Sequence, residues 1–278
     1  MIIHDFLNQK PMEILDDFLS NYSGVFKIDK AKAKKIILDC LKYYKTNKNI
    51  PKYLKDLEYR WYSSLDGDID YSVYNDQYYF ATDLFPCFVL YSRNYIININ
   101  RNAITKQALK NSNSIIDLGC GIGYSTAMLK QMFPNKRIIG TNLPKTDQYI
   151  FCNEIKEKYD FELVGTEIDL TCNVDMVFAS EYFEHIQDAS DNVMSLIKHI
   201  KPKYLLLANT FSQRSVGHFN FYKYKDNQLN MFEKHIPNKK ISRLFNKTIF
   251  DLGYKKLETG LWNNRPNFWS RNETNTII

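Results

Sequence analysis

Hydrophobic spacing divides the chain into two parts. Met12-Glu-Ile-Leu-Asp-Asp-Phe-Leu and Ala31-Lys-Ala-Lys-Lys-Ile-Ile-Leu-Asp-Cys-Leu place apolar residues at steps of three and four, the period of a helix with one buried face. Ile50-Pro51 predicts a break, because the residue before a proline is pushed out of the helical region. From about residue 106 short apolar runs alternate with helical patterns. Strands are expected at Ser114–Leu118, Arg137–Asn142, Glu162–Ile168, Met176–Ser180 and Tyr204–Asn209, and helices at Tyr124–Phe133, Thr146–Lys158 and Ala189–His199. Such alternation predicts a parallel sheet with right-handed helical crossovers. Lys255–Trp262 and Pro266–Ser270 flank the turn pair Asn263-Asn264, which predicts a terminal hairpin. The expected fold class is therefore α/β: a Rossmann-like, mostly parallel seven-stranded sheet with a C-terminal antiparallel hairpin, preceded by a mainly helical N-terminal region. Residues 1–105 and 106–278 are the two expected units.

Composition adds a core and little else. Hydrophobic residues make up 44% and charged residues 24% of the 278 positions, with 20 Tyr and 18 Phe. The aromatics crowd the stretch from Tyr59 to Tyr95, which is expected to fill core or to form one wall of a cleft as an acceptor-site lid. Five cysteines (Cys40, Cys87, Cys120, Cys152, Cys172) show no zinc-finger spacing and leave an odd thiol, so a reducing, cytoplasmic setting is expected. No apolar run approaches the ~20 residues needed to span a bilayer, and Met1 to Gln9 lacks the pattern of a secretory leader. The net charge of +6 fits an anionic partner. Lys27 to Arg60 is Lys-rich and interleaved with Tyr43, Tyr44, Tyr53 and Tyr59, a mixture that can hold phosphates and stack bases, or simply form a solvated helix whose tyrosines face the core.

Residues 115–123, Ile-Ile-Asp-Leu-Gly-Cys-Gly-Ile-Gly, close the first expected strand. Glycines there permit positive φ and close backbone approach to a ligand, and ligands of open parallel sheets sit beyond the carboxyl ends of the strands. Dinucleotide sites use Gly-x-Gly-x-x-Gly to bring a pyrophosphate to a helix N-terminus. Here the spacing is Gly-x-Gly-x-Gly, and Asp117 precedes the first glycine by two residues. An acid at that place would repel a pyrophosphate but complements the cationic end of S-adenosylmethionine. The segment resembles motif I of the class I S-adenosylmethionine-dependent methyltransferases, and the resemblance extends over residues 112 to about 270 in the order of elements and the final hairpin. It implies a cofactor-contacting set of Asp117, Gly119, Cys120, Gly121, Gly123, Asn142, Leu143, Asp169, Leu170 and Ser180. Asn142 stands where the family usually has an acid for the ribose hydroxyls; an amide can bond a hydroxyl as donor and as acceptor.

After the fourth strand comes Ala179-Ser-Glu-Tyr-Phe-Glu-His. A helical turn there would put Glu181, Glu184 and His185 on one face, and the loop after the fifth strand would bring His218 across the same mouth. Carboxylates suit Mg2+ or Mn2+, and an imidazole tilts the choice toward Mn2+ or a softer metal. The four positions resemble the metal site of the small-RNA 3′-terminal 2′-O-methyltransferases, and the first three those of the ubiquinone-pathway O-methyltransferases. Both resemblances imply a metal that orients vicinal hydroxyls and lowers the pKa of the attacked one. Without a metal, His185 or His218 could take the proton, or the histidine could cap a helix.

Two absences narrow the reaction. No Asp/Asn-Pro-Pro-Tyr/Phe follows the fourth strand, which argues against base amino-group methylation in DNA. Pro86-Cys87 precedes the glycine loop, the wrong order for a cytosine-5 nucleophile, so Cys87 is expected to be a buried small residue. The expected activity is an O-methyltransferase, with an RNA terminal ribose, a sugar or a small molecule as acceptor. A metal-free N-methyltransferase of small molecules or proteins, an inactive cofactor-binding scaffold and a nicotinamide-dependent oxidoreductase are the competing readings.

Overall fold

The computed structural model describes residues 11–46, 48–166, 169–170, 173–225, 233–261 and 266–272. Cys172, the end of the expected third strand at Ile168 and the Asn263-Asn264 turn lie outside the described residues.

Among the described residues, nine strands form in chain order: β1 Ser114–Leu118, β2 Arg137–Thr141, β3 Glu162–Val164, β4 Met176–Ser180, β5 Tyr204–Ala208, β6 Phe221–Lys225, β7 Glu233–Pro237, β8 Tyr254–Leu257 and β9 Asn267–Arg271. Seven of them make one sheet in the order β3-β2-β1-β4-β5-β9-β8. The first five are parallel, and β9 pairs antiparallel with both β5 and β8. The order reverses between β1 and β4, so a crevice opens beyond the carboxyl ends of these two strands. The expected α/β sheet with its terminal hairpin is the sheet observed. An additional hairpin, β6–β7, stands apart as a two-stranded sheet.

Successive strand residues face opposite sides, so each continuous apolar strand builds two cores. Ile115, Phe178 and Leu206 pack with the first helices, while Ile116, Val177 and Leu205 pack on the other side. The helices are α1 Pro11–Phe26, α2 Lys30–Thr46 and α3 Lys52–Ser64, a long helix α4 over 77–101, then α5 Ala103–Lys110, α6 Tyr124–Met132, α7 Asp147–Tyr159, α8 Ala189–Ile200 and α9 Asn238–Asp251. The break at Pro51 falls where it is expected. Trp61 on α3 is fully buried and donates its indole N–H to the His218 carbonyl at 2.6 Å, which ties the N-terminal helices to the loop after β5.

α4 is unusual. α-Helical turns at Gln77–Tyr79, Phe85–Cys87 and Arg93–Arg101 alternate with π-helical turns at Phe80–Leu84 and Phe88–Ser92. Phe85 N–H bonds the Phe80 carbonyl and Arg93 N–H the Phe88 carbonyl, each five residues back. Pro86 has no N–H to give and its ring crowds the preceding turn, a physical cause for the ladder to slip. The consequence is rotational. At about 100° per residue an unbroken α-helix would carry Ser92 roughly 220° around from Tyr79; one extra residue per π turn brings it back to within about 20°. One face of α4 therefore points at the crevice along its length.

Candidate active site

The glycine loop leaves β1 with Gly119, Gly121 and Gly123 at φ values of 59°, 54° and 83°. Gly119 N–H donates to the Thr141 hydroxyl at 2.9 Å and Cys120 N–H to the Thr141 carbonyl at 2.9 Å, so β2 fixes the loop from below. Gly123 caps α6, and a Cβ at that position would strike the Cys152 sulfur and the Ile155 side chain. Asp117, at the end of β1, is buried, and its Oδ2 accepts from the Ser125 hydroxyl at 2.6 Å and the Thr126 hydroxyl at 2.7 Å. Burial pushes its carboxyl up to about 6, against the lowering effect of the two hydroxyls. Among the described residues no cation contributes to that balance.

A cleft with about 540 Å³ of space open to solvent joins this loop to the end of β4 and to α4. Of the expected site residues it gathers Asp117, Gly119, Cys120, Gly121, Ser180, Glu181 and His185. Asn142 instead braces the loop: its amide N–H donates to the Gly121 carbonyl at 2.6 Å and its Oδ1 accepts from Leu143 N–H at 3.0 Å. Leu143 is exposed, as is Asp169, whose carboxylate closes a turn by accepting from Thr166 N–H at 2.7 Å. Leu170 is buried in the sheet's second core.

The other cleft wall comes from the aromatic-rich stretch, though its polar members were not singled out in the sequence. Tyr79, Asp83, Leu84, Cys87, Phe88 and Ser92 of α4 line it opposite the glycine loop. The Ser92 hydroxyl lies 2.8 Å from that of Ser180. Asp83 is buried, and its Oδ1 accepts from the Tyr44 hydroxyl at 3.3 Å and the Cys87 thiol at 3.4 Å. Burial raises its carboxyl to about 6, with Glu181 adding repulsion and the donors of Cys87, Tyr79 and Tyr44 opposing. Burial also lifts the Cys87 thiol well above its ordinary range, so the side chain is a neutral donor rather than a thiolate.

Glu181 sits in the left-handed region at φ 53° and accepts at Oε2 from the Thr210 hydroxyl at 2.9 Å. Glu184 is completely buried; Oε1 accepts from Thr210 N–H at 2.6 Å, and Oε2 meets no donor among the described residues. Burial and the neighbouring Glu181 raise Glu184 well above the ordinary carboxyl range, which holds it protonated. The Tyr74 hydroxyl lies 3.1 Å from His185 Nδ1, and the perpendicular His218 ring is 4.9 Å from that of His185. Burial, then His218, drives the His185 pKa well below the ordinary value. His218 donates from Nδ1 to the Gln213 carbonyl at 2.8 Å, and burial lowers its pKa to about 4. Both imidazoles are neutral at physiological pH.

These contacts do not support the expected four-ligand metal site. Glu181, Glu184, His185 and His218 come to one neighbourhood, yet among the described residues no group of three or more His, Cys, Asp or Glu side chains could hold a metal ion. Glu184 is committed to the Thr210 amide, and only Glu181 and His185 of the four line the cleft. The residues as arranged do not fit Mg2+ or Mn2+. They do fit a cationic nucleoside: a buried carboxylate whose described partners are hydroxyls stands beside a loop of three positive-φ glycines.

Comparison with known proteins agrees with that fit. The chain is 26% identical over 129 residues to a malonyl-[acyl-carrier protein] O-methyltransferase of Acetivibrio thermocellus, a match covering 45% of this chain and 46% of that protein. It is 28% identical over 102 residues to a ubiquinone biosynthesis O-methyltransferase of Rickettsia conorii, covering 36% and 35%. The chain thus spans less than half the length of these curated relatives. Among solved structures, an O-methyltransferase family protein from Burkholderia thailandensis superposes with a TM-score of 0.48 at 13% identity, over 78% of this chain and 69% of that one. No family model matches. Strand order, terminal hairpin and glycine loop resemble those of the class I S-adenosylmethionine-dependent methyltransferases. The curated relatives are methyltransferases as well.

Proposed function

We propose that the chain is an S-adenosylmethionine-dependent methyltransferase that methylates a hydroxyl group. The observation that carries this reading is Asp117, a buried carboxylate facing the cleft with no cation among the described residues to balance it. The cofactor, when bound, supplies an electrophilic methyl group on a cationic sulfur. Asp117 would hold the cationic end, and Gly119 and Gly121 would let the backbone approach it. Ser180, Glu181 and His185 would bound the space into which the acceptor enters, with the aromatic face of α4 as its opposite wall. In-line approach at a methyl carbon makes positioning a large share of the rate, and a cleft lined from both sides supplies it.

The N-terminal region, residues 1–105, acts in this reading as the acceptor-site wall or lid. Names of the curated relatives favour oxygen as the methylated atom. A sugar, a small molecule and an RNA terminal ribose all carry the required hydroxyl. The RNA option draws support from a groove between α2 and α3, where Lys32, Lys35, Lys42 and Lys52 surround Tyr43 and Tyr53. A cytoplasmic setting is part of this reading. Separately, among the described residues no helix is long and apolar enough to cross a membrane. Calorimetry with S-adenosylmethionine and S-adenosylhomocysteine tests the site. Transfer of labelled methyl groups into RNA, protein and metabolite pools, with and without a chelator, tests the chemistry. Binding without turnover on any pool would refute the enzyme reading in favour of a scaffold.

A further inference from the structure

Asp83 is the feature that the cofactor does not account for. It sits on the first π turn of α4, across the cleft from the glycine loop, and shares the cleft with Asp117 and Glu181. Its hydrogen-bond partners, Tyr44, Tyr79 and Cys87, are neutral. A buried carboxylate with no cation costs stability, and an asparagine would satisfy the same donors with a smaller penalty. Structure alone therefore gives a poor reason for an acid here. Position gives a better one. With its cationic end at Asp117, the cofactor would present its methyl group within the cleft that α4 and the end of β4 line, and the acceptor would enter the same space. Of the three acids that line the cleft, Asp83 stands on α4, whereas Asp117 ends β1 and Glu181 follows β4.

Resting on the methyltransferase reading above, we propose that Asp83 is the catalytic base and that the acceptor is an uncharged hydroxyl rather than a carboxylate. The acceptor O–H gives its proton to the Asp83 carboxylate while an oxygen lone pair forms the new bond to the methyl carbon. The carbon–sulfur bond breaks, and its electron pair stays on sulfur, which becomes a neutral thioether. Asp83 then releases the proton to solvent. The acceptor preference follows from charge: Asp83 and Glu181 flank the attack position and would repel an acceptor carboxylate.

The test uses the full chain with Asp83→Asn and Asp83→Ala. Labelled methyl transfer is measured on a panel of methyl glycosides and a short RNA oligonucleotide with a free 3′ end, beside sodium malonate. Expected results are transfer to a hydroxyl acceptor and none to malonate, and a kcat for Asp83→Asn lower by about 10²–10⁴-fold. S-Adenosylmethionine affinity should stay within about twofold of wild type, and added formate should restore part of the Asp83→Ala rate by replacing the lost carboxylate. A merely structural carboxylate would give no formate rescue. Asp83→Asn keeping half the wild-type kcat, no formate rescue, methylation of malonate or no hydroxyl acceptor on the panel overturns the proposal. Failure of wild type to bind S-adenosylmethionine would instead overturn the underlying reading.

Discussion

Replacing Asp117 by asparagine should strengthen the empty protein and weaken cofactor binding at the same time. The carboxyl titrates at about 6 in the folded chain, against 3.8 for an unperturbed aspartate. The native state thus binds the proton more tightly than the unfolded state between those values, and stability falls as pH rises through them. That difference corresponds to about 3 kcal/mol of strain when the group is ionised. The asparagine would keep an oxygen for the Ser125 and Thr126 hydroxyls while losing the charge. Allowing for imperfect replacement, the gain is about 1–3 kcal/mol, or roughly 2–5 °C in Tm for a chain of this size. Thermal melts without ligand should show this gain in full at pH 8, shrinking through pH 6 and absent near pH 4. Calorimetry at pH 8 should show S-adenosylmethionine affinity reduced about 10- to 100-fold, with a smaller loss for S-adenosylhomocysteine, which lacks the sulfonium charge. An Asp117→Asn variant that is less stable than wild type at pH 8, or that binds S-adenosylmethionine equally well, would refute the reasoning.

Further outcomes follow from the same geometry. His218 is held near 4, below the unfolded imidazole, so its contribution to stability is complete above about pH 6.5 and is lost as pH falls through 4; His218→Asn should flatten that acid loss in a series of melts, and an unchanged slope would count against it. Gly217 lies at φ 85°, where a Cβ would meet the His185 ring and the Tyr74 hydroxyl. Gly217→Ala should therefore cost about 1–3 kcal/mol and lower turnover, as melts and methyl-transfer rates would reveal. Turnover should survive exhaustive chelation, since among the described residues no group of three or more side chains is arranged to hold a metal ion; loss of activity restored by Mn2+ would reverse that conclusion. Trp61→Phe should remove the anchor of the His218 carbonyl and reduce stability by about 1–2 kcal/mol, visible as a shift in denaturant midpoint at unchanged slope.

The parallel sheet was legible because each of its strands is a continuous apolar run ended by glycine, proline or polar residues. Ser114–Leu118 and Met176–Ser180 match residue for residue. The glycine loop was legible for a related reason: positive φ at three alternating positions demands glycine. The hairpin β6–β7 was missed because Phe221-Tyr-Lys-Tyr-Lys carries too many charges to read as a strand, and only Tyr222 is fully buried. The stretch that holds α4 was expected as core or as a cleft wall, but its cleft-facing residues were not picked out. Tyr79 and Asp83 lie about 40° apart at 100° per residue while Ser92 lies about 180° from Asp83, so their common face is hidden until the two π turns beside Pro86 are known. The metal set failed at Glu184. Its spacing from Glu181 is right for a helical face, but the turn over Phe183–His185 is a short 3-10 helix and buries the carboxyl against Thr210.

The two π turns also bear on how this wall tolerates change in length. A helix that has absorbed an extra residue twice holds its cleft-facing side chains by count as much as by kind. Deleting one residue between Phe80 and Leu84 while the first π turn relaxes to an α turn would remove the extra residue and its compensation together, so Cys87, Phe88 and Ser92 would keep their direction toward Ser180. Deleting one residue from the α-helical turn between the two π turns, with both of these kept, would instead swing one end of the wall about 100° against the other. Gaps inside the π turns among related chains should therefore leave the acceptor wall in place, whereas gaps between them should mark a change of acceptor.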